Sequence, residues 1–133
     1  MGTQAVRVTG DVRNVVRLES LAVLVAAVVA YAYIHGSWVL FAVLLLTPDL
    51  AMLGYLAGPR VGAFCYNLVH TYVGPVALLA ISVVHPALRP FGLIWLAHIG
   101  IDRALGYGLK YATGFSDTHL GLIDRPGSEL SRR

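Results

Sequence analysis

Residues 94–111 read IWLAHIGIDRALGYGLKY, and this stretch decides how the rest of the chain is interpreted. It has the length and apolar content of a membrane-spanning helix, yet its interior carries His98, Asp102 and Arg103. Ionisable groups are costly at membrane depth, so they usually face the interior of a helix bundle and pair with other groups. His98 and Asp102 are four residues apart and therefore share one face of the helix. The stretch predicts a buried polar site in a membrane protein.

The composition of the whole chain favours the same class. Of its 133 residues, 57% are hydrophobic and 13% are charged, whereas soluble domains average roughly 25% charged residues. The formal net charge is only +3, so we expect the lipid bilayer as a partner and no nucleic acid. The single cysteine, Cys65, allows neither an internal disulfide nor a cysteine-based zinc site.

Four apolar segments are each long enough to cross a bilayer, whose core requires about 20 helical residues. The predicted spans are residues 15–34, 38–57, 61–84 and 91–111, followed by a soluble tail at residues 113–133. Pro48 interrupts the second span, and proline removes a backbone donor, so a kink is expected there. The prediction is an all-α membrane protein with one domain over residues 1–133, built as a bundle of four transmembrane helices.

Two further patterns concern orientation and association. Arginine and lysine concentrate before the first span, between the second and third, and after the fourth, while the opposite side has only Arg89. The positive-inside rule then predicts that both termini are cytoplasmic.

Gly100, Ala104 and Gly108 form a small-residue face that lets another helix approach closely, and it would also permit a homo-oligomer.

The depth of each polar residue follows from the helical rise of about 1.5 Å per residue. Counted from the cytoplasmic ends of their spans, Asp49 lies about 12 Å deep, His70 and Asp102 about 14 Å deep, and Glu19 about 6 Å deep. Because several helices place an ionisable group at nearly one depth, we predict a single polar cluster inside the bundle. Its predicted members are Glu19, Asp49, Asn67, His70, His98, Asp102 and Arg103.

Three stretches are distinctive enough to resemble a known family: LLLTPDLAMLGYLAGPRVGAFCYNLVHTY at residues 44–72, the stretch at 94–111, and FSDTHLG at 115–121. They resemble a small bacterial integral-membrane family catalogued only as a domain of unknown function, over roughly residues 17–122. The resemblance implies a compact helical protein of the bacterial inner membrane and implies no activity. The residues that match its polar motif positions are Glu19, Asp49, Asn67, His70, His98, Asp102, Arg103 and His119.

The leading hypothesis for the cluster is a metal site. Facing helices of bundles supply carboxylates and imidazoles to metals, and zinc, iron or manganese suit such donors. The protein would then be a metal-dependent enzyme, or without metal an acid/base enzyme, acting on a lipid-soluble or membrane-proximal small molecule. The residues predicted to bind the metal are Asp49, His70, His98 and Asp102. The predicted catalytic residues are Glu19, as general base or further ligand, and Arg103, with Asn67 and His119 as additional candidates.

Two other hypotheses remain open on the sequence alone. In the first, the same groups bind a proton, an ion or a small solute in a transport or binding module. In the second, they form a hydrogen-bonded network that fixes helix register in a structural membrane subunit, since buried polar groups must pair with one another.

Overall fold

The computed structural model describes residues 10–111 and 117–122. This part of the chain is mostly helical, as predicted. The helices are α1 (Gly10–Tyr33), α2 (Trp38–Leu44), a long 3₁₀ helix (Thr47–Ala57), α3 (Pro59–His70), α4 (Val73–Ile81), a short 3₁₀ helix (Pro86–Leu88) and α5 (Arg89–Leu105). Two short antiparallel strands follow, β1 (Asp117–Thr118) and β2 (Gly121–Leu122).

Three helical segments are long and apolar enough to cross a membrane, namely Gly10–Tyr33, Trp38–Ala57 and Pro59–Ile81. Large apolar side chains such as Val29 and Leu50 are exposed along them. A continuous apolar surface of this kind is unfavourable in water and favourable against hydrocarbon. The structure is therefore consistent with a membrane protein.

The fourth predicted span is different from the other three. α5 ends at Leu105 and not at residue 111, because Gly106 adopts φ +96° and closes the helix, a left-handed conformation that glycine adopts without strain. With 17 residues, α5 is at the short end of the roughly 17–25 residues that a span takes. Among the described residues, three segments and not four have the length and hydropathy of a membrane span.

The small residues predicted to admit another helix are used within this chain. α5 packs against both α1 and α4. A Cβ atom added at Gly100 would lie 3.1 Å from the backbone of α1, at the carbonyl oxygen of Ser20. A Cβ atom at Gly54, in the long 3₁₀ helix, would lie 2.9 Å from the Cys65 side chain of α3. Both glycines therefore permit close helix contacts inside the molecule.

The chain after α5 turns back along the molecule. Lys110 forms an isolated antiparallel bridge with Thr118 of β1, and the Thr118 side chain is fully buried. The predicted soluble tail, residues 113–133, is described only at residues 117–122, and the remainder of that prediction lies outside the described residues.

Candidate metal centre

Four ionisable side chains from three parts of the fold meet at one point. Asp49 comes from the long 3₁₀ helix, His70 from the last residue of α3, and His98 and Asp102 from adjacent turns of α5. One potential ligand atom from each lies within 4.8 Å of the others. The predicted convergence of these four residues is confirmed, and we call them the His/Asp cluster.

The distances within the His/Asp cluster are short and similar. The Nε2 atoms of His70 and His98 are 3.0 Å apart. Each Nε2 atom is also 3.3–3.5 Å from the Asp49 Oδ1 and Asp102 Oδ2 atoms. A tetrahedral ion with bonds of about 2.0–2.1 Å separates its ligand atoms by roughly 3.3–3.4 Å. The four separations between an imidazole nitrogen and a carboxylate oxygen therefore match a first coordination shell, the two imidazole nitrogens are somewhat closer together, and all four ligand atoms lie within 4.8 Å.

The accessible side of the cluster is its carboxylate side. The His70 and His98 side chains are each 3% exposed, whereas Asp102 is 17% and Asp49 34% exposed. The imidazoles thus anchor the site in the protein interior, and the carboxylate of Asp49 faces the direction from which a ligand would approach.

A backbone bond fixes the tautomer of His70. Its Nδ1 atom lies 2.8 Å from the carbonyl oxygen of Tyr66. A carbonyl only accepts, so Nδ1 carries the proton, and in a neutral ring Nε2 then presents a lone pair to the cluster. Metal-binding histidines are commonly oriented by such a bond from their second nitrogen.

The kink at Pro48 supplies the same kind of partner to His98. The Asp49 N–H donates to Leu46 instead of Leu45, and Pro48 has no N–H, so the Leu45 carbonyl has no donor in its own helix. The His98 imidazole interacts with the Leu45 backbone. Because the Leu45 N–H already donates to Phe41, the group that His98 faces is the Leu45 carbonyl. The predicted break in the second span thus orients a residue of the site.

These bonds leave the cluster with an excess of acceptors. With both rings neutral and held by their outer nitrogens, two lone pairs and two carboxylate oxygens point at one centre. Two protonated rings would instead direct two N–H groups at each other across 3.0 Å. A single proton shared between two of these atoms satisfies only one of the five short contacts among them. A metal cation instead binds all four ligand atoms at once. The residues present therefore fit a divalent metal ion.

Tyr66 supports the cluster and is not among the residues predicted from the sequence to belong to it. Its ring stacks on the His70 ring with centroids 3.7 Å apart, and its hydroxyl donates to Asp102 Oδ2 at 3.4 Å. Tyr66 therefore positions one imidazole and one carboxylate. The available signal was its spacing, since Tyr66 precedes His70 by four residues and so lies on the same helical face.

Asn67 and Arg103 lie next to the cluster but contact backbone groups. The Asn67 amide makes two 2.7 Å hydrogen bonds with the backbone of Lys110, one as donor and one as acceptor. The Arg103 guanidinium donates to the His70 carbonyl oxygen at 3.3 Å and lies over the Tyr72 ring. Asn67 thus fixes the chain that follows α5, and Arg103 caps the end of α3.

The structure does not bring Glu19 to the cluster. The Glu19 side chain is exposed on α1, whereas its neighbour Ser20 is buried and its hydroxyl accepts a 3.1 Å hydrogen bond from Tyr72. One residue corresponds to about 100° of helix rotation, so adjacent residues face different surroundings. The depth of Glu19 was estimated from its position in the span, but depth does not determine which way a side chain points.

His119 lies outside the group of four. It follows β1, where its Nδ1 accepts a 2.8 Å hydrogen bond from the Leu109 N–H and its own N–H donates to the Leu109 carbonyl. Burial, and then the positive charge of Arg103, lowers the pKa of His119 below its usual 6.5. His119 therefore holds the returning chain against the end of α5 in its neutral form.

We expect His119 to make stability depend on pH. Because its pKa is lower in the folded state, its contribution is complete above about pH 6.5 and is lost as the pH falls through the folded-state pKa. His119→Asn keeps an acceptor near the Leu109 N–H and does not titrate in this range. Melting temperatures of detergent-purified protein between about pH 5 and pH 8 should therefore fall less on acidification in His119→Asn than in the wild type. Equal slopes would contradict this role.

The fold and the site together define a class: a helical protein with apolar helices of membrane-spanning length and a buried His/Asp cluster. A family model described as "Domain of unknown function (DUF4260)" matches residues 13–123. The chain belongs to this family, and the matched region contains all four residues of the cluster. No curated protein and no solved structure matches the chain.

Proposed function

We propose that this protein is a multi-pass protein of the bacterial cytoplasmic membrane in which α5, with 17 residues, crosses as a short fourth span beside the three longer segments, so that both termini are cytoplasmic. In this proposal the His/Asp cluster binds one divalent metal ion and supports a metal-dependent reaction on a lipid-soluble or membrane-proximal small molecule. The observation that carries the proposal is the meeting of four ligand atoms, from Asp49, His70, His98 and Asp102, within 4.8 Å.

The four ligand atoms and their surroundings support a catalytic metal ion. Two imidazole nitrogens and two carboxylate oxygens suit zinc, iron or manganese. When bound, such an ion polarises substrate oxygens and lowers the pKa of a bound water toward about 7. The two histidines hold the buried side of the site. Asp49 is the most exposed of the four, so it is the ligand placed to give up its position to a water or substrate oxygen and then to accept a proton from it, the role predicted from sequence for Glu19.

The apolar exterior supports a substrate that arrives from the lipid phase. The three segments of spanning length expose large aliphatic side chains, and the site is built on the inner faces of two of those segments together with α5. A molecule dissolved in the bilayer would therefore reach the site without first entering water.

Metal analysis of the detergent-purified chain tests the proposal. We expect about one equivalent of zinc, iron or manganese per chain when the protein is purified without chelators. Vesicles containing the protein should show no proton or ion flux that depends on Asp49.

The other outcomes each reject the proposal in a different way. Protein without metal, together with a flux that is lost in Asp49→Asn, would identify a transport module. Protein with neither metal nor flux, in which substitutions of the cluster lower only the melting temperature, would identify a structural network.

A further inference from the structure

A cavity of about 240 Å³ is lined in part by residues that neighbour the His/Asp cluster in the chain. Its walls come from the middle of the second apolar segment, from α4 and from α5. Its lining residues include Thr47, Pro48, Leu78, Phe91, Ile94 and Trp95. Neither the sequence nor the family resemblance pointed to this cavity, because its walls come from residues that are distant in the chain and individually unremarkable.

The polar groups in these walls are already satisfied within the protein. The Thr47 hydroxyl donates to the Leu44 carbonyl oxygen at 2.7 Å. The Trp95 indole N–H donates to the Val69 carbonyl oxygen at 2.6 Å. The remaining lining atoms of both side chains are apolar, so the cavity offers contact area and no unused hydrogen-bond donor from these two side chains. Such a site binds hydrocarbon in preference to a polar molecule.

The size of the cavity limits what enters it. At the roughly 30 Å³ that a water molecule occupies in the liquid, 240 Å³ holds about eight heavy atoms. This is enough for a segment of one alkyl chain and too little for a two-chain lipid or a sterol ring system. Phe91 is 44% exposed, so the cavity is reached from the apolar surface of the molecule.

Two residues that line the cavity are close in the chain to residues of the His/Asp cluster. Pro48 lines the cavity and immediately precedes Asp49. Ile94 also lines it and lies four residues before His98 on the same face of α5. An alkyl chain in the cavity would therefore place an attached head group near the Asp49 carboxylate, on the accessible side of the cluster.

We propose that this cavity binds the alkyl chain of a single-chain amphiphile whose oxygen-containing head group lies at the His/Asp cluster. The inference rests on the proposed function, because it names the substrate class of the same site. It assigns Leu78, Phe91 and Trp95 as residues that determine specificity, which contact the chain and take no part in proton transfer.

Photolabelling of the purified full-length protein tests the assignment. The probe is palmitic acid with a diazirine in the middle of its chain, used in detergent with the metal supplied. We expect label on peptides that contain Phe91 or Trp95, and competition by unlabelled palmitate. Leu78→Trp should fill the cavity and reduce this labelling at least roughly tenfold, since excluding two methylene groups already corresponds to about that factor.

The matched control is Val76→Trp, which adds the same side chain to α4 at a position that is 56% exposed; it should label like the wild type. Phe91→Trp, at a partly exposed wall, provides a second block if Leu78→Trp folds poorly. Equal labelling of Leu78→Trp, Phe91→Trp and Val76→Trp, or label spread over α1 without competition by palmitate, would overturn the proposal.

A second variant separates failure of this inference from failure of the proposed function. His98→Ala should lose metal and keep the label in the cavity, because His98 does not line it. If cavity labelling is blocked by Leu78→Trp but no variant or wild type contains metal, the alkyl-chain site stands and the metal-based function is wrong. If metal is present and labelling is not blocked, the metal site stands and the substrate class is wrong.

Discussion

Replacing His98 by alanine should weaken metal binding by well over 100-fold, because losing an outer-shell partner alone typically costs 10–100-fold. His98 Nε2 is within 3.4 Å of ligand atoms from the other three residues of the cluster. Its removal leaves three donors around a widened site. When the free metal concentration is 100 times the dissociation constant, metal binding stabilises the folded state by about 2.7 kcal/mol. We expect this metal-dependent stabilisation, measured as a rise in melting temperature on adding metal, to disappear in His98→Ala.

The control is His85→Ala, the same substitution at an exposed histidine before the short 3₁₀ helix. It should keep the full metal response. His70→Ala should behave like His98→Ala, since the two Nε2 atoms occupy equivalent positions 3.0 Å apart. A metal response that survives both substitutions in the cluster would place the metal elsewhere in the chain.

The four residues of the cluster could be predicted because the depth of a side chain in the membrane depends only on its position along the helix. The helical rise converts sequence position into depth, and Asp49, His70 and Asp102 were expected at nearly the same level. The structure confirms that these residues and His98 meet. The direction in which a side chain points around the helix axis is a separate property, and the predicted ends of a span do not give it. Glu19 illustrates this, since its neighbour Ser20 is buried while Glu19 is exposed.

The end of α5 was predicted wrongly for a related reason. Residues 107–111 read YGLKY, and their tyrosines and lysine are typical of the interfacial end of a span, but this composition does not show where a helix stops. Gly106 takes a left-handed conformation and closes the helix. The Lys110 backbone then pairs with the Asn67 side chain, which is 43 residues earlier in the chain. That contact depends on how α3 and α5 lie side by side, so no local pattern could have indicated it.

The supporting groups of the site also depend on tertiary structure. The Leu45 carbonyl beside His98 becomes available because the α-helix changes to a 3₁₀ helix at Pro48. A proline in a span leaves a backbone carbonyl without its donor, and inside a membrane such a carbonyl needs another partner. Which group becomes that partner depends on how α5 packs against the second segment. Sequence therefore predicted the need for this hydrogen bond but not the residue that meets it.

Substitution of Gly100 by leucine should destabilise the fold while leaving the chemistry of the cluster intact. His98 and Asp102 lie about 40° apart around α5, and Gly100 lies on the opposite face, since each residue advances about 100°. On that face a Cβ atom would already be 3.1 Å from the Leu24 backbone nitrogen and the Ser20 carbonyl oxygen of α1. Overpacking typically costs about 1–3 kcal/mol or more, which exceeds the gain in helix propensity of about 1 kcal/mol. The melting temperature should therefore fall, with Gly100→Ala intermediate.

The matched control for Gly100→Leu is Ala26→Leu, on an exposed position of α1, which should melt close to the wild type. The response to metal then distinguishes a packing defect from a defect of the site. A metal that binds only the folded state raises its stability by mass action, whatever the starting stability. Gly100→Leu should therefore melt at a lower temperature and still gain from added metal, whereas His98→Ala should gain nothing. If Gly100→Leu melts like Ala26→Leu, α1 and α5 are not packed as closely as the structure shows. If it loses the metal response entirely, the two faces of α5 are not independent, and the cluster requires the contact between α1 and α5.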